Sequence, residues 1–499
     1  MGPTVQTKYG TVRGVSRDGV SSFLGIPYAA SPTGSLRFQA PAPPAAWQGV
    51  RDATEFGATP PKPDYPVPFD TLLAEPAIAG DDWLNLNVWT PDIRAAGLPV
   101  LVWIHGGAFA NGNSAVPMYD GHAFARDGVV LVSVNYRLGI DGFALLPDAP
   151  ANRGLLDQIA ALEWVRDNIG AFGGDPGNVT IFGESAGAMS VVTLLSLPRA
   201  AGLFAKAIAQ SGAVQAAATP QDAALITAEI GKALGGTESR PAGSAEPVTA
   251  SRLAEVDLAD LIAAQAAVRD ALAADPDPVR FGASVVASSM PLIPVIDQEL
   301  MAAHPLAAIA AGAGSTVPLL IGTNAEEFRL FLVPPGAIAM ITDDVLAVIG
   351  AGIGATSEVI AKYRENRPGA SPGDIAAALL TDRFFAQPAR AVAEARAAGP
   401  AATYVYEFAW RSPAIGAGHA LEIPFVFDNL GAEGADLAIG GEAPQDLADQ
   451  MHAAWIRFAA TGDPGWPEYD PSRPVRVFDA DGGSVARDQR RDEREVWQA

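Results

Sequence analysis

The stretch IFGESAGA, residues 181–188, decides the fold that this sequence predicts. The apolar run at 179–182 is typical of a buried strand, and a helix can begin directly after the turn. Ser185 stands on that turn, with Gly183 and Gly187 two residues away on either side, because larger side chains there would collide with neighbouring backbone. Such a turn exposes the serine hydroxyl at the carboxyl edge of a sheet, beside the amides of a helix N-terminus. The pattern therefore predicts a nucleophilic serine.

Short apolar runs alternate with helical patterns through the first half of the chain, which is typical of an α/β protein. Residues 100–104 and 129–134 have the near-continuous apolar sequence of buried parallel strands. Residues 155–170 place apolar side chains at helical spacing. Strand signals return at 317–322 and again at 403–410. We therefore expect a large, mostly parallel central sheet covered by helices.

The chain shows no internal repeat and no linker long enough to separate autonomous domains, so we predict a single domain over residues 1–499. Helical insertions are expected at roughly residues 215–310 and 333–400, where they can form a cap over the site. Residues 236–251 are the clearest low-complexity loop.

Composition narrows the classes of function. The formal net charge of -23 gives a surface that repels nucleic-acid phosphates and anionic lipid headgroups, so we expect neither nucleic acid nor membrane as a partner. The absence of cysteine excludes disulfides, thiolate catalysis and thiolate metal sites. The first residues lack a basic segment followed by an apolar one, and the apolar stretch at 306–322 is interrupted by polar residues. A cytoplasmic protein is expected.

A serine hydroxyl needs a histidine as base and an acid that holds the histidine in the right tautomer. In this type of sheet the acid and then the histidine follow the serine along the chain, which excludes His105 and His122. His304 precedes the strongest acid candidate, and His452 lies in an amphipathic pattern where we expect a helix-surface role. His419 follows a predicted strand on a glycine-containing loop, where such sites are built. His419 is therefore the preferred base.

The acid is expected in another loop that follows a strand. The segment VPLLIGTNAEEF supplies Glu326 and Glu327 directly after a buried strand. Adjacent side chains face different ways, so only one of the two can reach the histidine. The residue pattern alone does not choose between them, and the other carboxylate is expected to be a solvated charge or a supporting group.

An oxyanion hole needs backbone amides beside the attacked carbonyl and little side-chain bulk around them. The segment HGGAF, residues 105–109, opens from an early predicted strand and meets both needs. Phe109 next to this loop is expected either to line an apolar acyl site or to belong to the core.

Together these motifs resemble the type B carboxylesterase family of α/β-hydrolases, which includes bacterial p-nitrobenzyl esterases and animal cholinesterases. The resemblance covers nearly the whole chain and implies the α/β-hydrolase fold. The segments that carry it are residues 23–38, 81–91, 105–109, 134–143, 152–188, 207–213, 322–328, 416–427 and 451–464.

The resemblance implies roles for individual residues. Ser185 corresponds to the nucleophile and His419 to the base. The family motif G-x-x-x-D-E-G aligns its catalytic glutamate with Glu327, although Phe328 stands where the family usually has glycine. The implied oxyanion donors are the amides of Gly107, Ala108 and Ala186.

The resemblance also implies a structural framework around the site. Two ion pairs of the family correspond to Arg37 with Asp81 and to Arg137 with Asp157. Buried polar groups behind the triad, with a supporting role at most, correspond to Glu184 and Ser211.

We therefore expect a serine carboxylesterase that acts on small-molecule esters, with short-chain or aromatic esters preferred by resemblance. Its mechanism needs neither a metal nor a cofactor. An amidase or carbamate hydrolase on the same triad is the narrower alternative, and a non-catalytic binding relative is a hypothesis from another class. Neither the oligomeric state nor the pocket residues that set specificity follow from the sequence.

Overall fold

A large mixed sheet forms the centre of the protein. The computed structural model describes residues 2–73, 75–235 and 247–497. Within these residues one 11-stranded sheet is accompanied by a 3-stranded sheet near the N-terminus. The strands are β1 (Thr4–Gln6), β2 (Thr11–Arg13), β3 (Val15–Arg17), β4 (Val20–Pro27), β5 (Val50–Asp52), β6 (Asn85–Thr90), β7 (Leu98–Ile104), β8 (Val130–Val134), β9 (Gly174–Glu184), β10 (Lys206–Gln210), β11 (Leu319–Asn324), β12 (Thr403–Phe408), β13 (Pro474–Phe478) and β14 (Ser484–Arg487).

The large sheet has the order β14-β13-β12-β11-β10-β9-β7-β8-β6-β4-β3. Neighbouring strands from β13 through to β8 run parallel, whereas both margins of the sheet are antiparallel. The parallel centre brings the carboxyl ends of β7, β9, β11 and β12 to one edge. Loops that leave this edge can therefore meet over a common site.

Helices cover the sheet and fill the long connections between its strands. The α-helices are α1 (Phe69–Leu72), α2 (His122–Arg126), α3 (Gly139–Phe143), α4 (Arg153–Asn168), α5 (Ala186–Ser196), α6 (Pro220–Ala233), α7 (Ala250–Leu253), α8 (Leu258–Ala274), α9 (Pro278–Phe281), α10 (Ala283–Ser288), α11 (Pro305–Ala310), α12 (Arg329–Leu332), α13 (Asp343–Gly352), α14 (Ser357–Asn366), α15 (Pro372–Thr381), α16 (Gln387–Arg396), α17 (Ile423–Val426), α18 (Ala435–Ile439), α19 (Gln445–Thr461) and α20 (Arg491–Val496). A π-helical segment, Asp382–Ala386, joins α15 to α16.

The core consists of two apolar layers, one on each face of the sheet. Strand β7 shows the alternation that builds them. Val102 and Ile104 belong to one buried cluster, whereas Leu101 and Trp103 belong to the other. Because side chains of successive strand residues point to opposite faces, a strand that is apolar throughout is buried on both sides. A smaller third cluster lies among α13, α14 and α15.

The strands and the long helix expected from sequence are present with small differences at their ends. Strand β9 begins at Gly174, earlier than the expected run at 179–182. Of the expected low-complexity loop, residues 236–246 lie outside the described residues, and Ala250 already begins helix α7. Among the described helices, none has the length and apolar character needed to cross a membrane.

Candidate active site

The serine turn has the backbone that its sequence demands. Ser185 joins β9 to α5 with φ 55° and ψ -123°, a strained conformation for a residue other than glycine. A Cβ at Gly183 would lie 2.5 Å from the carbonyl oxygen of Ile104, and a Cβ at Gly187 would lie 2.0 Å from the same atom. Neither position tolerates a side chain, because the turn presses against the end of β7. The steric reason given for these two glycines is thus visible in the structure.

The glycine-containing loop after β7 lies beside this turn. Gly107 has φ 108°, and Ala108 and Phe109 also have positive φ values of 54° and 58°. Gly107 and Ala108 line the same cavity as Ser185, and Ala186 is the first residue of α5. The side chain of Phe109 points away into the core, where its ring centroid lies 4.9 Å from that of Phe143. Of the two expectations for Phe109, the structure therefore favours core packing.

The acid and histidine loops meet in the way that the chain order of the motifs requires. Glu327 follows β11 and His419 follows β12, and these strands are parallel neighbours. His419 Nδ1 lies 2.6 Å from Glu327 Oε2, within hydrogen-bond distance, and the amide of His419 donates to the backbone carbonyl of Glu327 at 3.2 Å. Both side chains are buried. The contact fixes the ring of His419 through one nitrogen, and that ring lines the cavity beside Ser185.

The second ring nitrogen of His419 faces another carboxylate. His419 Nε2 lies 3.0 Å from Glu184 Oε1, without the alignment of a hydrogen bond. Across the described residues, no hydrogen bond joins this nitrogen to the Ser185 hydroxyl. Such contacts are often long before substrate binds. Glu184, expected behind the triad, instead lines the cavity itself.

Two carboxylates around one imidazole change its proton affinity. Burial opposes the charge on His419, but the negative charges of Glu184 and Glu327 outweigh burial and raise its pKa to about 9. Burial, together with the nearby Glu422 and Glu327, raises the pKa of Glu184 well above its ordinary value, although His419 opposes this shift. The resting site therefore holds a proton on or close to the imidazole at neutral pH.

The neighbouring Glu326 braces the histidine loop from the other side. Its Oε2 accepts a hydrogen bond from the amide of Ala417 at 3.1 Å and lies 3.1 Å from Arg411 Nε. Of the two adjacent carboxylates that the sequence offered, Glu327 contacts His419 and Glu326 holds the loop that carries it. Their alternate directions are the reason that only one of them reaches the ring.

A buried polar network beneath the histidine was missed by the sequence analysis. The side chain of Asn324 donates to Glu422 Oε2 and to the carbonyl of Gly418, both at 2.7 Å. The backbone amide of Asn324 donates to Glu327 Oε1 at 2.8 Å. Glu422 Oε1 accepts a hydrogen bond from Gln210 at 3.2 Å. Burial and the charge of Glu327 raise the pKa of Glu422 to about 7. Spacing was the sequence signal that could have indicated this network, since Asn324 precedes Glu327 by three residues and Glu422 follows His419 by three.

The cavity above these groups has a volume of 410 Å³ and two unlike walls. One wall is aromatic and surrounds the histidine, with ring centroids of Phe331 and Phe385 at 5.4 and 4.9 Å from that of His419. Phe328, the departure from the family glycine, packs in this wall against Phe384 at 5.3 Å. The rest of the lining includes the aromatic and polar residues Tyr65, Glu75 and Tyr119.

The other histidines have structural surroundings. His105, the first residue of the segment HGGAF, is buried, and burial lowers its pKa to about 3. His452 is also buried, with Nδ1 2.8 Å from the carbonyl of Val426, so the expected helix-surface role is wrong. Helix α19 turns this side of its amphipathic pattern toward α17, which covers the imidazole.

One of the two expected framework ion pairs is present and the other is wrong. Arg137 and Asp157 are fully buried and joined by two hydrogen bonds of 2.7 and 2.8 Å. Arg37 instead pairs with Asp141 at 3.2 Å. Asp141 lies half-buried beside Arg37, whereas Asp81 is exposed, so the shielded carboxylate is the better partner. Ser211 is fully buried, as the resemblance implied.

Known structures identify the fold as that of the α/β-hydrolases. The chain superimposes on the crystal structure of a Geobacillus stearothermophilus carboxylesterase with a TM-score of 0.84 and 37% sequence identity, covering 99% of this chain and 100% of the other. The expected α/β-hydrolase fold is therefore confirmed. The shared architecture places the serine turn and the acid and histidine loops at the carboxyl edge of the sheet.

Sequence comparisons extend this result to the family. A model described as "Carboxylesterase family" matches residues 1–485. The chain is 38% identical to the para-nitrobenzyl esterase of Bacillus subtilis (strain 168) over 96% of this chain and 95% of that protein. It is 33% identical to the phenmedipham hydrolase of Pseudarthrobacter oxydans over 97% of both. The chain belongs to the carboxylesterase family and is a carboxylic ester hydrolase acting on small-molecule esters.

Proposed function

We propose that Ser185, His419 and Glu327 form the catalytic triad of this esterase. His419 takes the proton of the Ser185 hydroxyl while the oxygen attacks the ester carbonyl, and the carbonyl electrons move to an oxyanion. The C–O bond to the alcohol then breaks, and the alcohol leaves with the proton from His419. An acyl-enzyme remains, and water activated by His419 hydrolyses it to the acid and free serine.

The amides of Gly107, Ala108 and Ala186 are the proposed donors to the oxyanion. Two of these residues line the cavity, and the third begins the helix that follows the serine. Amides held in place before the reaction stabilise the charge that develops in the transition state. No step of this proposed reaction requires a metal or a cofactor.

One observation carries the proposal. The 2.6 Å contact between His419 and Glu327 fixes the imidazole at the wall of a cavity that also contains Ser185 and the glycine-containing loop. The elevated pKa of His419, about 9, further supports its role as the group that exchanges protons.

Short-chain and aromatic esters are the proposed substrates. The 410 Å³ cavity suits a small ligand, and its phenylalanine wall supports contact with an aryl or short alkyl group. We propose a single catalytic domain whose two helical insertions supply part of this cavity, including Gln215 and Met290 from one and Phe384 and Phe385 from the other. Cytoplasmic localisation is also part of the proposal, and cell fractionation tests it.

The decisive experiment compares Ser185→Ala with the unchanged protein on a chain-length series of p-nitrophenyl esters, followed by aromatic diesters. Loss of the nucleophile should lower kcat on the order of 10⁶-fold. Hydrolysis that persists in the variant would refute the triad. Amide and carbamate analogues with the same acyl group separate an esterase from the amidase or carbamate alternative. An unchanged protein that neither turns over esters nor reacts with an organophosphate would support a binding role instead.

A further inference from the structure

One wall of the cavity is a segment that lies outside the central sheet. Residues 63–73, with 75 and 76, form this wall segment, and they include the cavity-lining Tyr65 and Glu75. The ring of Phe69 lies 6.5 Å from that of Phe331 in the aromatic wall. The segment therefore supplies part of the cavity lining and reaches the aromatic wall at Phe331.

Both ends of the wall segment are fastened to the same turn. The side chain of Asn111 donates to the carbonyl of Pro63 at 2.6 Å, and the side chain of Asn113 donates to the carbonyl of Pro76 at 2.9 Å. Between these two asparagines, the carbonyl of Gly112 accepts a hydrogen bond from the ammonium group of Lys62 at 3.1 Å. We call residues 111–113 the anchoring turn.

A buried ion pair joins Lys62, directly before the wall segment, to Glu75 near the end of that segment. Lys62 Nζ lies 3.1 Å from Glu75 Oε2, and the two side chains are only 8% and 10% exposed. The same carboxylate oxygen accepts a hydrogen bond from Asn113 at 3.3 Å. Burial lowers the pKa of Lys62 and raises that of Glu75, and each charge opposes the shift in the other. Since desolvation offsets much of the attraction in a buried pair, its main contribution is geometric.

The anchoring turn is continuous with the oxyanion loop, residues 105–109, which carries the proposed donors Gly107 and Ala108. The amides of Ala110 and Asn111 both donate to the carbonyl of Gly107, at 3.0 and 2.8 Å. Gly112 has φ 92°, and a Cβ there would lie 2.3 Å from the carbonyl oxygen of Gly106. The turn thus packs directly against the peptide unit that joins Gly106 to Gly107, whose amide is a proposed oxyanion donor, so we expect a shift of Gly112 to displace it.

We propose that Lys62 and Glu75 are positioning residues, which clamp the wall segment onto the anchoring turn and thereby hold the amides of Gly107 and Ala108 in place. The inference rests on the proposed function, because those amides matter to the rate only where an oxyanion forms. Lys62 is not among the described residues that line the cavity. It therefore acts through the carbonyl of Gly112 and not by touching substrate.

Transition-state stabilisation and substrate binding can be measured separately, which makes the clamp testable. In Lys62→Met, kcat should fall about tenfold to a hundredfold, because misaligned oxyanion donors stabilise the transition state less. KM should stay within about threefold, since Lys62 itself does not line the cavity. Affinity for an aryl trifluoromethyl ketone, which adds to the serine as a hemiketal oxyanion, should fall by the same factor as kcat.

Three further variants sharpen the test. Lys62→Arg keeps a donor and a positive charge and should restore most of kcat. The double variant Lys62→Met/Glu75→Gln should lower kcat no more than the more damaging of its two single substitutions does, since both substitutions break one clamp. Lys206→Met removes another buried lysine, the first residue of β10, and controls for the loss of a buried charge.

The outcomes separate the clamp from the proposed triad. Unchanged kcat in Lys62→Met, a rise in KM alone, or undiminished affinity for the ketone would overturn the clamp while an inactive Ser185→Ala still upholds the triad. Activity in Ser185→Ala would refute the triad whatever Lys62 does. Should Lys62→Met fail to fold, as judged by thermal unfolding, Asn111→Ala removes the contacts of this side chain with Pro63 and Glu75 but keeps Lys62, and it carries the same kinetic test.

Discussion

The serine turn and the histidine loop meet in one cavity but are held in different ways. The turn at Ser185 is fixed by steric contact, since its two glycines press against the end of β7. The loop of His419 is held by partners remote in sequence, namely Glu327, Glu326 and the network through Asn324. A steric contact leaves little room for partial relaxation, whereas a set of long-range hydrogen bonds can weaken gradually. Substitutions on the two sides should therefore differ in kind.

Apart from loss of the nucleophile itself, the largest effect is expected on the histidine side, at the acid. Glu327→Gln keeps the size of the side chain but removes the charge that orients the His419 ring, and kcat should fall about 10⁴-fold. Steady-state kinetics on p-nitrophenyl acetate measures the loss. The neighbouring Glu326→Gln still accepts the amide of Ala417 and loses only a partly exposed ion pair, so kcat should change less than about tenfold. Equal losses in both variants would contradict the assignment of the acid.

A steric change in the turn should act on both stability and rate. In Gly187→Ala the new Cβ would lie 2.0 Å from the carbonyl oxygen of Ile104, so the turn must shift. Overpacking should lower the free energy of unfolding by about 1–3 kcal/mol, and displacement of the Ala186 amide should lower kcat about 10²–10³-fold. Thermal unfolding and kinetics measure the two effects. Gly170→Ala, where a Cβ meets nothing within 4 Å, is the matched control.

Where the two loops touch, charge should set the pH dependence. His419 must be neutral to accept the serine proton, so kcat/KM should rise with pH as the imidazole, with a pKa of about 9, loses its proton. Glu184→Gln removes the strongest influence that raises this pKa, and the midpoint should move about 1 to 3 units lower. A pH–rate profile checks both. An unshifted midpoint would show that Glu184 does not act on the imidazole, and Glu163→Gln on α4 is the control.

The smallest effect is expected in the aromatic wall that packs on the histidine loop. Phe385→Leu keeps the wall apolar but removes a ring 4.9 Å from that of His419. The ratio of kcat/KM for benzoate to butyrate esters should fall about threefold to tenfold, which matches the worth of one aromatic contact. The butyrate ester is the internal control for the histidine. A parallel loss on both esters would mean that Phe385 supports the ring and does not select substrate.

The sequence was most informative where function depends on nearby residues. The glycines around Ser185, the apolar strands and the glycine-containing loop could each be interpreted alone, because steric exclusion and side-chain alternation act over a few residues. The order of the motifs then pointed to His419. The sequence was least informative about partners distant along the chain, as the pairing of Arg37 with Asp141 and the burial of His452 show.

By itself, the sequence determined the sheet, the strained serine turn and the types of residue that could serve as base and acid, because these follow from local backbone and burial constraints. The residue pattern left Glu326 and Glu327 open and the family resemblance implied Glu327, whereas the tertiary structure shows that Glu327 meets the imidazole. Only the tertiary structure decided that Glu184 faces the other ring nitrogen and that Lys62 is tied to the anchoring turn. Those contacts join separate loops at one edge of the sheet. Their geometry depends on how β7, β9, β11 and β12 are ordered in space, which no short stretch of sequence specifies.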